Sequence, residues 1–148
     1  MAAGRKPAAG RTLTRRLAPL AASLLLAASG VVLGAASPSS AATWCRTDLC
    51  DGLDPADTVC QDDAKTVHTT YTGVELRYSP YCRTAWARVQ HPVPFFKYEV
   101  MNNRYFGYSF IPTGTYSQWT AMIQDADLQS HACQYDDHGN HPICTDWF

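Results

Sequence analysis

All six cysteines of the chain lie after residue 44, and residues 1–42 contain none. A short chain that places its cysteines behind a cysteine-free leader is suited to an oxidising compartment, where they pair as disulfides. Paired sulfurs are neither nucleophiles nor metal ligands, so thiolate chemistry is set aside.

The leader reads as a secretory signal. It carries Arg5, Lys6, Arg11, Arg15 and Arg16 and no acidic residue, then an Ala- and Leu-rich run from Leu17 to Leu33, then Ser37-Pro38-Ser39-Ser40-Ala41-Ala42. This is the order of a signal peptide, and small residues at Ser40 and Ala42 place cleavage after Ala42, within about two residues. A membrane anchor needs ~20 apolar residues, and Pro19, Ser23, Ser29 and Gly30 interrupt this run. Thr14-Arg15-Arg16-Leu17 leaves twin-arginine export open beside the general route. No cysteine at the cleavage point supports a lipoprotein anchor. The expected organisation is therefore a removed signal over residues 1–42 and a single secreted domain over residues 43–148.

Cleavage changes the charge. It takes five of the 12 basic residues and none of the 13 acidic ones, leaving 7 against 13 and a net charge of −6. Such a domain is a poor match for nucleic acid or for an anionic membrane surface, both of which draw clustered Lys and Arg. All 17 aromatic residues fall in this part and suit a compact core. A core of this size is adequate but not generous, and three disulfides would supplement it.

Residues 43–64 are dense in turn residues around Cys45, Cys50 and Cys60. Strand patterning follows. Val67, Thr69 and Tyr71 alternate up to Thr72-Gly73, and Val74, Leu76 and Tyr78 alternate back, predicting a hairpin. Arg83–Val89 is a third strand around Trp86. Phe95–Met101 and Arg104–Phe110 flank Asn102-Asn103, a turn that would set Val100 opposite Tyr105, Lys97 opposite Tyr108 and Phe95 opposite Phe110. Tyr116–Ile123 and Leu128–Tyr135 are two further strands. No amphipathic helix stands out. About seven or eight short strands with frequent turns predict an all-β, disulfide-stabilised antiparallel sandwich or barrel.

The last hairpin carries its own check. Asp137-His138-Gly139-Asn140 is a turn sequence, and a turn centred on His138-Gly139 puts Cys133 opposite Cys144 at cross-strand disulfide spacing. The other four cysteines allow three pairings. The first hairpin brings Cys60 and Cys82 to the same end, which favours Cys60–Cys82 with Cys45–Cys50.

The run Glu75-Leu76-Arg77-Tyr78-Ser79-Pro80-Tyr81-Cys82-Arg83-Thr84-Ala85-Trp86-Ala87-Arg88 is distinctive. Together with Cys45-x4-Cys50-Asp51-Gly52-Leu53-Asp54-Pro55 and Cys60-Gln61-Asp62-Asp63-Ala64, it resembles the YjfA-like family of small secreted bacterial domains of unknown function. The resemblance covers Cys45 to the Tyr116 region. It implies an extracytoplasmic domain with Cys45, Cys50, Cys60 and Cys82 as family cysteines and the Cys133/Cys144 hairpin as an addition of this branch. It transfers no catalytic residue. Read from the residues alone, Leu76, Tyr78 and Trp86 are interior candidates, and Glu75, Arg77, Arg83 and Arg88 form a cross-strand charge network that fixes register. An arginine pair also suits a carboxylate or phosphate ligand.

Other constellations have ordinary explanations. Asp51, Asp54 and Asp57 suit calcium, but the EF-hand spacing is absent and Asp-Gly and Asp-Pro form turns unaided. His131, Asp136, Asp137, His138 and His141 cluster without a zinc signature. Tyr98, Tyr105, Phe106, Tyr108, Tyr116 and Trp119 could line a sugar-binding face or serve as core and cross-strand ladder. No GxSxG elbow is present, and His68 and His91 have no evident nucleophile partner.

The expectation is thus a non-catalytic extracellular binding module, without metal or cofactor, whose partner is an extracellular protein or an envelope glycan. A small hydrolase of envelope polymers and a protease-inhibitor-like protein, presenting Ser79-Pro80-Tyr81-Cys82, are the alternatives. The secreted form should begin near Thr43 and carry no free thiol. N-terminal sequencing and thiol titration of protein from culture supernatant check this. A start at Met1 or six free thiols would overturn it.

Overall fold

The chain is all-β over the residues described, 42–148 of a computed structural model. The expected signal over residues 1–42 lies outside them, Ala42 excepted. Three 3-10 turns (Thr47–Cys50, Pro55–Asp57, Val59–Gln61) precede nine strands: β1 (Lys65–Thr69), β2 (Val74–Ser79), β3 (Thr84–Val89), β4 (Lys97–Asn102), β5 (Gly107–Phe110), β6 (Gln118–Trp119), β7 (Ile123–Gln124), β8 (Ser130–Tyr135) and β9 (Ile143–Cys144). The first sheet runs β1-β2-β3, with β6 and β7 both on the free edge of β3; the second runs β5-β4-β8-β9. Every strand pair is antiparallel.

Period-2 alternation decides what each sheet buries. Val74 and Leu76 of β2 and Ala85, Ala87 and Val89 of β3 face Tyr98, Val100 and Ala132 of the second sheet, with Ile123 closing the edge. The intervening residue of β3, Trp86, therefore points out of the other face. It is nonetheless 1% exposed, because residues 45–64 fold over it. Trp86 and Met122 pack with the cystine sulfurs and with Leu53, Val59 and Ala64. Leu76 and Trp86 thus lie in two separate cores, and Tyr78 is only half buried, with its ring 5.1 Å from that of Phe148.

The cystine-clamped segment is held by disulfides Cys45–Cys50 and Cys60–Cys82, while Cys133–Cys144 joins β8 to β9. Each bond of this kind stabilises by about 2–4 kcal/mol. Backbone bonds dock the segment as well: Thr47 N–H donates to Cys82 O at 2.7 Å, Met122 N–H to Leu53 O at 2.9 Å and Gly52 N–H to Met122 O at 3.0 Å.

Those last two bonds explain a departure from the sequence expectation. Tyr116–Ile123 is not one strand. After Thr120, which still bonds Ala87 through its N–H and Oγ1, the chain leaves β3 so that Met122 can pair with Gly52 and Leu53, and regular strand pairing is kept by β6 and β7. The middle hairpin also differs. Val100 lies opposite Tyr108, not Tyr105, and Tyr98, not Phe95, lies opposite Phe110. Asn102 belongs to β4 and is 1% exposed; its side-chain Oδ1 accepts the N–H groups of Arg104 and Phe106, which lengthens the loop. Gly107 then passes so close to Val100 O that a Cβ there would lie 2.2 Å from it, a register only glycine accepts. In the last hairpin, Cys133 stands opposite Cys144.

One buried acid links the sheets. Asp125, just after β7, accepts a hydrogen bond at 2.7 Å from Ser130 Oγ of β8, and burial pushes its pKa up to about 6. A folded-state pKa above the unfolded one near ~3.9 gives stability that is full below pH ~4 and lost as pH rises through about 6. Asp125→Asn, which keeps an acceptor for Ser130, should raise Tm by a few degrees (~2–6 °C) above pH ~7 and lose that advantage below pH ~4. Thermal melts of both proteins across this range check the sign, and an advantage that does not depend on pH would refute the cause.

Candidate functional site

Two exposed clefts flank the clamped segment, and both borrow side chains from it. The first is at the end of β5. Residues 111–117 leave the sheet as a loop braced from within: Gln118 Nε2 donates to Gly114 O at 3.2 Å, and Gln118 Oε1 accepts Thr113 N–H at 3.4 Å. Tyr116 lies against Gly114, where a Cβ would come 2.6 Å from its ring, so glycine lets the ring settle on the backbone. Trp119 reaches across to the segment, and its indole Nε1–H donates to Asp54 Oδ1 at 2.7 Å. Asp54 is itself fixed, because the same oxygen accepts Ala56 N–H and caps the second 3-10 turn. The result is a cleft of about 320 Å³ with Tyr116, Trp119 and Ile111 on its apolar side and Asp54, Thr113, Ser117 and Gln118 on its polar side. Tyr116 is 66% exposed and Ile111 60%.

The second cleft, about 380 Å³, lies where the segment meets the β2–β3 turn and is lined by Trp44, Val59, Asp62, Asp63 and Tyr81. Trp44 Nε1–H donates to Tyr81 Oη at 2.9 Å. Asp63 holds the turn: its carboxylate accepts from Ser79 Oγ at 2.5 Å and from Tyr81 N–H at 2.8 Å. Ser79 and Pro80 therefore serve a tight turn, closed by Arg83 N–H to Ser79 O at 2.8 Å.

The distinctive run divides by face. Leu76 enters the inter-sheet core and Trp86 the clamped one, while Glu75, Arg77 and Arg88 share the Trp86 face. Arg88 donates to Glu75 Oε2 through Nε at 3.0 Å and Nη2 at 2.6 Å, and Thr66 and Gln90 donate to the same carboxylate. Burial raises the Glu75 pKa, but these donors outweigh it and hold the group below the usual glutamate value. Arg77 joins through Thr66 and Ala64 O, and its Nε is buried without a partner among the described residues. Arg83 does not belong to the network. Positive φ at Arg83 turns it away, and it pairs with Asp127 at 2.8 Å on the surface.

Of the remaining candidates, Asp136, Asp137 and His138 bring ligand atoms within 4.8 Å of one another at the last turn, and the others separate. Asp51 accepts Gln124 N–H, Asp54 holds Trp119, and neither converges with Asp57. Asp136 Oδ1 accepts the N–H groups of His138 and Asn140 and so builds the last turn, with His138 beside Asp137. His131 stacks on Trp147 at 3.8 Å, and burial lowers its pKa. Of the aromatic set, Tyr116 and Trp119 share the first cleft. Tyr98 is buried and stacked on Phe110, Phe106 and Tyr108 meet edge to face, and Tyr105 lies exposed in the β4–β5 loop. Sequence reasoning missed the second cleft. Trp44-Cys45 and Tyr81-Cys82 pair an aromatic with a cysteine at each site, but their sulfurs belong to different disulfides.

Residues 48–133 match the family described as Protein of unknown function (DUF2690). The chain belongs to the DUF2690 family. The match takes in Cys50, Cys60, Cys82, Trp86, Tyr116 and Trp119 and extends past the expected Tyr116 limit. Cys45 and Cys144 fall outside it, and Cys133 is its last residue. No curated protein and no solved structure matches the chain.

Since Gln118 braces the loop internally, Gln118→Ala should cost about 0.5–1.5 kcal/mol of stability or less. It should speed hydrogen exchange at the Thr113 amide well beyond any change in the β2–β3 amides. Equal exchange in both places would show that the side chain does not order the loop.

Proposed function

We propose that residues 43–148 form a secreted, non-catalytic module that binds an envelope glycan through the Tyr116–Trp119 cleft. The observation that carries this reading is the fixed indole of Trp119, tied to Asp54 at 2.7 Å beside a Tyr116 ring seated on Gly114. Held, exposed aromatic faces suit the apolar faces of sugar rings, and fixed carboxylate, amide and hydroxyl groups at the rim suit their hydroxyls. Three disulfides are consistent with an extracellular or secreted protein. Removal of residues 1–42 as a signal is part of the proposal, as is the YjfA-like kinship drawn from the Glu75–Arg88 run.

The alternatives have less support. A carboxylate-pair hydrolase needs two acids flanking a bond. The first cleft offers Asp54 alone, already engaged with Trp119 and Ala56. The second has both Asp62 and Asp63, but they are sequence neighbours at one rim, and Asp63 is engaged with Ser79 and Tyr81. An inhibitor loop needs an extended, protruding segment, whereas Ser79–Arg83 closes as a tight turn. Co-sedimentation of the secreted protein with insoluble envelope polysaccharide tests the proposal. Retention is expected, and Tyr116→Ala or Trp119→Ala should each weaken it by roughly three- to tenfold. No retention, or retention indifferent to both substitutions, would sink the reading.

A further inference from the structure

The second cleft has a chemistry of its own. Its walls are two aromatic rings, Trp44 and Tyr81, joined edge to edge by the 2.9 Å Nε1–Oη bond. Val59 supplies an apolar wall. Two carboxylates stand at the rim. Asp63 has each oxygen occupied by a donor of the β2–β3 turn, so its position is fixed. Asp62 accepts no side-chain or backbone donor among the described residues, and no Lys, Arg or His nitrogen comes within 4.0 Å of either acid there. Glu75, Glu99 and Asp127, by contrast, are paired with Arg88, Lys97 and Arg83. Aromatic faces with an unneutralised carboxylate and an apolar wall match an organic cation on an aliphatic stem. The net charge of −6 in the secreted part would draw such a ligand from a distance.

We propose that the Trp44–Tyr81 cleft binds the ammonium head of a lysine-like side chain, with the methylene stem along Val59 and the charge between the aromatic rings and Asp62. This site is separate from the glycan cleft and shares no lining residue with it.

The test is an NMR titration of the secreted protein with N-acetyl-lysine methylamide, and with N-acetyl-norleucine methylamide as the uncharged counterpart. The Trp44 indole N–H and the Tyr81 amide should shift saturably with the lysine probe and not with the norleucine probe. Asp62→Asn should weaken the lysine probe by about three- to tenfold, and added salt should weaken it as well. Trp119→Ala should leave it unchanged, which keeps the outcome apart from that of the glycan experiment. Absence of saturable shifts, equal response to the two probes, or an unchanged affinity in Asp62→Asn would each overturn the proposal. Asp62 is exposed and its side chain makes no hydrogen bond among the described residues, and the Asn variant keeps the backbone bond to Val59 O, so that variant should fold normally.

Discussion

The packing of Trp86 against the cystine-clamped segment governs the rest of the molecule. A sheet that buries a large indole on the face opposite its main core needs a cover on each side, and this chain has no α-helix among its described residues to provide one. The second sheet covers one face. The other is covered by some twenty residues that are too short and too irregular to form a layer unaided. Two disulfides tie them down, and one large indole gives them a common surface. Everything that projects outward from the segment, including Asp54, Asp62 and Asp63, inherits its position from that arrangement.

The strand β3 shows how the two cores are balanced. Its inward residues, Ala85, Ala87 and Val89, are small, whereas its outward face carries the large Trp86. Volume withheld from the inter-sheet core is thus spent on the opposite side. Met122 follows the same logic from the sheet edge: it abandons β3 to fill the clamped core, and its backbone pairs with Gly52 and Leu53 as it does so.

What was legible in the sequence was whatever depended on neighbours close in the chain. The Cys133–Cys144 hairpin could be read from the turn, because equal spacing about His138-Gly139 fixes the pairing, and the alternation of Val74, Leu76 and Tyr78 marks β2 directly. The β4–β5 hairpin was misread because the Asn102 side chain, not the backbone dipeptide, organises its loop, and side-chain capping leaves no trace in periodicity. The break in Tyr116–Ile123 was hidden for a different reason, since its cause lies some seventy residues upstream. The aromatic set was visible, but not its division: only burial separates Tyr98 in the core from Tyr116 on the surface. The Trp44–Tyr81 cleft depends on a disulfide-held turn meeting a distant segment, and no local pattern announces that meeting.

Both clefts have one wall in the sandwich and one in the clamped segment. The sandwich has the Cys133–Cys144 bond at its far edge and an inter-sheet core without sulfur, whereas the segment depends on Cys45–Cys50 and Cys60–Cys82. The clefts and the sandwich are therefore exposed to chemical reduction unequally. Once the buried Cys45–Cys50 and Cys60–Cys82 bonds are reduced, the segment loses its tether, and with it one side of each cleft, while the paired strands retain their hydrogen bonds. Such a molecule carries its own geographic limit: its clefts keep their shape only where the surroundings keep its sulfurs joined.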